Sequence, residues 1–227
     1  MNHQTRVNLH LVSNSPPSVR RAANEVYMQA SGVFALSLTY ATVRYHLFKG
    51  VAWADWPTYT VNKAFAVSAL ALMVSGIAPM LRHHARISGP RISGPHLRLA
   101  GGAIILHAIL SLLLLDPAYY PKFFVGDKLT LSTGFALLLG VLAATIFVTI
   151  GPQSAQWSVP KKMGWTGFIA FIGGCHAALP GWTTWLQPLQ WPALMPPLTL
   201  IAFLLGTAAL LLSVAGACAL AAMQRKA

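Results

Sequence analysis

Two histidines in this chain sit where an imidazole is costly to leave idle. His107 lies inside LRLAGGAIILHAILSLLLL, Leu97 to Leu115, and His176 inside GWTGFIAFIGGCHAALPGW, Gly164 to Trp182. Both runs are apolar and long enough to cross a bilayer, and an ionisable group within such a span points to a function with a named partner. The other six histidines, His3, His10, His46, His83, His84 and His96, fall in polar segments or near run ends. The chemistry open to a buried imidazole pair is metal ligation. Zinc usually takes four ligands, and the spans offer only Cys175 in addition. A haem iron needs just two axial ligands, because its ring supplies four. With histidine on both axial positions no site remains for oxygen chemistry, and the job left is electron transfer. The bland alternative is that each histidine hydrogen-bonds a neighbouring helix. His83 and His84 make a poorer metal pair, since adjacent residues point apart on a helix.

The elements that carry these histidines follow from composition. The chain has 227 residues, 56% hydrophobic and only 9% charged, which excludes an ordinary soluble domain and indicates a polytopic membrane protein. The expected fold class is all-α, a bundle of six transmembrane helices. The spans fall at about Tyr27–Phe48, Val61–Leu81, Leu97–Leu115, Leu129–Ile150, Gly164–Trp182 and Leu198–Met223. Residues 1–26 read as a polar tail or short surface helix, 27–223 as one membrane domain, and 224–227 as a second tail. The first span follows Arg20 and Arg21 without a small-residue cleavage site, so it reads as retained rather than as a signal peptide. The tandem RISGP repeat, Arg86–Pro90 and Arg91–Pro95, reads as loop. The loop Lys49–Thr60 gathers Trp53, Trp56 and Tyr59 as an interfacial aromatic cluster, and Thr183–Pro197, rich in proline and tryptophan, reads as a surface cap. Arg44 and His46, near the end of the first span, are expected to snorkel to the boundary.

Six spans place both termini on one side. That side carries eleven Lys and Arg against Glu25 alone; the other carries five against Asp55, Asp116 and Asp127. The positive-inside rule then puts both termini in the cytoplasm, N-in and C-in. Topology accounts for the net charge of +12, so nucleic acid is not an expected partner. The basic residues Arg82, Arg86, Arg91, Arg98, Lys161 and Lys162 frame the inner helix ends, as positive-inside topology alone requires, or as a surface for an acidic reductase or anionic lipid headgroups at a quinone site. The two cysteines, Cys175 and Cys218, both lie in spans, and no CxxCH motif for covalent haem attachment exists.

On this topology the third and fifth spans run the same way. His107 lies nine residues past Arg98, roughly 14 Å along the helix, and His176 six residues before Trp182, about 9 Å from the outer boundary. Both fall in the middle-to-outer part of the bilayer, about one turn apart in depth. Gly101, Gly102, Gly173 and Gly174 precede the two histidines; small residues there leave room for a macrocycle or for close helix packing.

Six spans with a histidine in the third and another in the fifth resemble the ferric-reductase-like transmembrane domain family. That family includes six-transmembrane metalloreductases, the membrane part of NADPH oxidases and the haem subunit of periplasmic methionine sulfoxide reductase. The texture around HLRLAGGAIILHAILSLLLL and WTGFIAFIGGCHAALPGW carries the resemblance, which covers about residues 30–220. It implies b-type haem, His107 and His176 as axial ligands, and electron flow across a bacterial inner membrane toward an acceptor on the outer side. Two-haem members carry a second histidine about four turns away on each helix; here Ser93 and Leu189 or Gln190 stand near those places, so one haem is expected. No GxGxxG or phosphate loop marks a flavin or nicotinamide domain, so electrons must come from a separate reductase or from quinol, with quinone a second candidate cofactor. The rival functions are a haem-free structural or assembly subunit and a small transporter, though no internal repeat supports the latter.

Overall fold

A computed structural model describes residues 17–85 and 93–224. Among them, six long α-helices dominate: α1 (Pro17–Thr42), α2 (Val61–Ala85), α3 (Ser93–Leu113), α4 (Leu131–Gln153), α5 (Val159–Ala178) and α6 (Leu198–Gln224). The protein is all-α apart from a two-residue antiparallel ladder, β1 (Phe124–Val125) with β2 (Lys128–Leu129). Four segments are long and apolar enough to cross a membrane: Trp53–Ala78, Gly94–Leu113, Leu131–Gly151 and Pro192–Ala222. The helices α1 and α5 are more polar at their starts, where Arg21 pairs with Glu25 and where Lys161 and Lys162 stand. On α3 and α4 the large apolar side chains Leu112, Leu113, Leu131, Leu138 and Val141 face outward, as a lipid-facing surface requires.

The helix α2 is the centre of the bundle. Met73, Ile77, Leu70, Leu72 and Met80 are buried along it against α3, α5 and α6. The closest helix pair is α5 with α6. A Cβ on Gly206 would stand 2.5 Å from the Ala170 carbonyl oxygen, and one on Gly174 would stand 3.2 Å from the Ala202 carbonyl oxygen. Glycine therefore lets the two backbones touch, the usual way for apolar helices to gain dispersion energy where lipid offers no hydrophobic drive. Gly101 likewise makes room for the Phe147 ring of α4, since a Cβ there would meet Phe147 Cε1 at 2.6 Å. Gly101 and Gly174 thus serve helix packing, whereas Gly102 has open space beside it.

Several helix limits differ from the sequence expectation. The first helix begins at Pro17, within the stretch read as a tail, and a wider turn over Val43–Leu47 extends it. The fifth begins at Val159, not Gly164, because Pro160 fits a first helical turn whose N–H groups have no partner anyway. It ends at Ala178, short of Trp182, since Pro180 cannot continue it. The second RISGP copy is helical from Ser93, with Pro95 tolerated in the first turn of α3. Residues 1–16, 86–92 and 225–227, and the side chains of His83 and His84, lie outside the description.

The chain folds back more at one end than hydropathy suggests. Arg44 does not snorkel; it is buried and donates to the Met195 carbonyl, while the Tyr40 hydroxyl donates to Pro196 O at 2.8 Å. Those bonds pin a turn whose Ala193 and Leu194 sit in the left-handed region, at φ 47° and 58°. His46 is also buried. Its Nδ1–H donates to Val51 O at 2.9 Å, its Nε2 pairs with Thr60 Oγ1 at 2.6 Å, and Trp53 stacks on the ring at 4.8 Å. The tryptophans hold the cap: Trp56 Nε1 donates to Thr42 Oγ1 (2.9 Å), Trp185 Nε1 to Thr199 Oγ1 (3.0 Å) and Trp191 Nε1 to Thr184 O (2.7 Å).

The α5–α6 seam yields a direct test. Gly206→Ala sets a methyl group against backbone, which cannot swing aside, so the helices must part. Thermal unfolding of the variant in detergent should show a loss of roughly 1–3 kcal/mol. The same change at Gly102, where no other part of the fold lies within 4 Å, should not lower stability.

Candidate functional site

The fold brings His107 and His176 together. Their ring centroids are 6.3 Å apart with planes at 72°. His107 lies near the end of α3 and His176 near the end of α5, so both rings sit at the end of the bundle that carries the cap. Each ring is half-buried.

Their hydrogen bonds decide their tautomers. His176 Nδ1 lies 2.6 Å from the Ala136 carbonyl oxygen on α4. A carbonyl only accepts, so Nδ1 carries the proton and Nε2 keeps its lone pair. The approach depends on Gly140, one turn along α4. A Cβ there would stand 2.7 Å from His176 Nδ1. His107 Nδ1 lies 2.6 Å from Asn62 Oδ1, with Ser111 Oγ a weaker neighbour at 3.3 Å. Among the described residues neither Nε2 has a hydrogen-bond partner.

Asn62, wholly buried in the first turn of α2, is itself held. Its Nδ2 donates to Ser111 Oγ at 3.0 Å and to the Tyr120 hydroxyl at 3.4 Å. Lys63 Nζ donates to the same hydroxyl at 3.4 Å and lies over the Tyr59 and Tyr120 rings, 4.9 and 4.6 Å from their centroids. Among the described residues the single ion pair is Arg21 with Glu25, so no carboxylate neutralises Lys63. This end of the bundle is locally positive. Burial holds the Lys49 ammonium below the usual lysine range, and the like charges of Lys122, Arg44 and Lys63 push it the same way.

The donor set can be tested against a metal. With metal–nitrogen bonds of about 2.0–2.1 Å, imidazoles on opposite sides of one ion hold their centroids roughly 6 Å apart. The observed separation matches. Each Nδ1–H is committed to a protein acceptor, the arrangement that orients metal-bound histidines and raises their basicity. Among the described residues no group of three or more His, Cys, Asp or Glu converges. Beside His176, Leu139, Cys175, Ala178, Leu179 and Trp182 line an apolar recess of about 220 Å³.

Leu189 and Gln190 do not lie on α5 but in a short turn beyond its end. The helical position about four turns from His176 runs the other way, to the buried Met163. Ser93 opens α3, so neither place offers a second pair of imidazoles. No protein-family profile matches the chain, and no curated protein does.

The sequence reading passed over Asn62, Ala136 and Gly140. A Gly140→Ala variant tests the last two together: its methyl group displaces the His176 ring from the Ala136 carbonyl. Loss of roughly 10–100-fold in affinity for added haemin is expected, as for other groups that orient metal ligands. Titration monitored by visible absorption measures it.

Proposed function

We propose that this protein is a b-type membrane cytochrome with one haem held between His107 and His176. It spans a bacterial inner membrane six times, N-in and C-in, and passes electrons from quinol or a separate reductase toward an acceptor on the outer side. A haem supplies the one-electron couple; the protein supplies everything else. His107 and His176 would hold the haem iron through Nε2. Asn62 and the Ala136 carbonyl hold the rings in the ligating tautomer. With two histidine ligands a haem would have no open position for oxygen.

One observation carries this reading: how the histidines use their nitrogens. His46 shows what a packing histidine looks like in this fold, with both ring nitrogens paired within the protein. Among the described residues His107 and His176 pair only Nδ1, and their ring centroids stand 6.3 Å apart. A nitrogen without a protein partner keeps its lone pair for a ligand.

A visible spectrum of protein purified from haem-replete cells separates this function from a haem-free subunit or a transporter. Low-spin b-type bands are expected, and haem should leave in acidified organic solvent. His107→Ala or His176→Ala should lose the haem or leave it high-spin, and should lower thermal stability, because a ligand bound only by the folded state stabilises it. His46→Ala should keep the spectrum while costing about 1–3 kcal/mol, since Thr60 loses its buried partner. A normal low-spin spectrum in both His107→Ala and His176→Ala would refute the assignment. Reporter fusions check the topology: Ala227 should read cytoplasmic, and a site near Asp127 should read outside.

A further inference from the structure

We propose that Asn62 is a positioning residue for His107, and that Lys63, linked to it through Tyr120, biases the same imidazole electrostatically. The proposal rests on the haem reading for one of its two readouts.

The path is short and continuous. Lys63 Nζ donates to the Tyr120 hydroxyl, Asn62 Nδ2 donates to that hydroxyl and to Ser111 Oγ, and Asn62 Oδ1 accepts from His107 Nδ1–H. Asn62 has no exposed surface and Tyr120 is nearly buried, so neither group can trade its partners for water. With both N–H bonds of the amide spent on hydroxyls, its oxygen is turned to His107. The bond fixes the tautomer that leaves Nε2 free. It also shifts electron density toward Nε2, which favours the oxidised iron. Lys63 acts with the opposite sign. An un-neutralised cation this close favours the state that holds the extra electron. Two residues adjacent in sequence thus pull one centre in opposite directions. His176 has no such side-chain link, since its acceptor is a main-chain carbonyl.

The opposed signs make the test specific. In haem-loaded protein, Asn62→Leu should raise the midpoint potential and Lys63→Met should lower it. Each shift should correspond to roughly tenfold in the one-electron equilibrium, about 59 mV. Asn62→Asp keeps an acceptor and should move the potential down, opposite to Asn62→Leu, so a folding defect cannot mimic the pattern. Lys128→Met makes the same charge change on the exposed ladder and should leave the potential alone. In haem-free protein, NMR of labelled histidine should find His107 protonated at Nδ1, with the tautomers mixed in Asn62→Leu and the ring resonances displaced in Lys63→Met. A His107 ring protonated at Nε2 in the haem-free wild type overturns the Asn62 role, and unmoved resonances in Lys63→Met overturn the Lys63 role, whether or not haem binds. Shifts of the same sign for Asn62→Leu and Lys63→Met overturn the proposal as a whole. A wild type that takes up no haem refutes the cytochrome reading, and the NMR result still decides this one.

Discussion

The bond from His176 Nδ1–H to the Ala136 carbonyl is the constraint on which the site depends. A helix carbonyl already accepts from the N–H one turn on, and it has a second lone pair to give only if a donor can come close. Gly140 permits that approach by having no side chain. The carbonyl can only accept, so the proton's position on the ring follows without choice. What Nε2 keeps is therefore a lone pair. From one absent methyl group come the approach of α5 to α4, the ring's tautomer and the nitrogen left without a proton.

The second imidazole is held by different means. Asn62 is a side chain and could turn, so it needs holding, and Ser111 and Tyr120 hold it. Behind both rings stands the α5–α6 seam, where Gly174 and Gly206 let two backbones meet. Rigid close packing at that seam fixes α5, and α2 at the bundle centre fixes Asn62 relative to it. The cap adds to this from the end of the bundle. Arg44 and Tyr40, on α1 and its extension, bind the carbonyls of Met195 and Pro196, which lead into α6. The elements that place the histidines are thus tied to each other at the seam and at the cap.

The helices and the two histidines were legible in the sequence because hydropathy reports burial directly, and a histidine within an apolar run stands out by type. Helix limits were less so. Pro160 and Pro95 looked like loop residues, yet a first helical turn accepts proline, and both helices start earlier than the apolar runs do. Arg44 was misplaced for a related reason. Its position near a span end suggested snorkelling, but a carbonyl far along the chain, at Met195, gives the guanidinium a buried partner. Of the site, Asn62 carried a readable signal: an amide in the first turn of an otherwise apolar helix. Ala136 carried none, because it acts through its backbone. Gly140 was one glycine among 18, and only the approach of the His176 ring singles it out.

The contrast of His46 with His107 and His176 bears on more than their identity. A structural histidine gains most when both nitrogens are paired, as in His46, because each unpaired polar atom in an apolar bundle forfeits its hydration without return. His107 and His176 forgo that gain at one nitrogen each among the described residues, with ring centroids 6.3 Å apart. Lys63 repeats the pattern: a cation kept over two aromatic rings without a carboxylate, where a neutral residue would have packed more cheaply. Both expenses fall at the same end of the bundle, and the hydrogen bonds through Tyr120 and Asn62 join them. Such local losses persist where a fold is kept for what a site does.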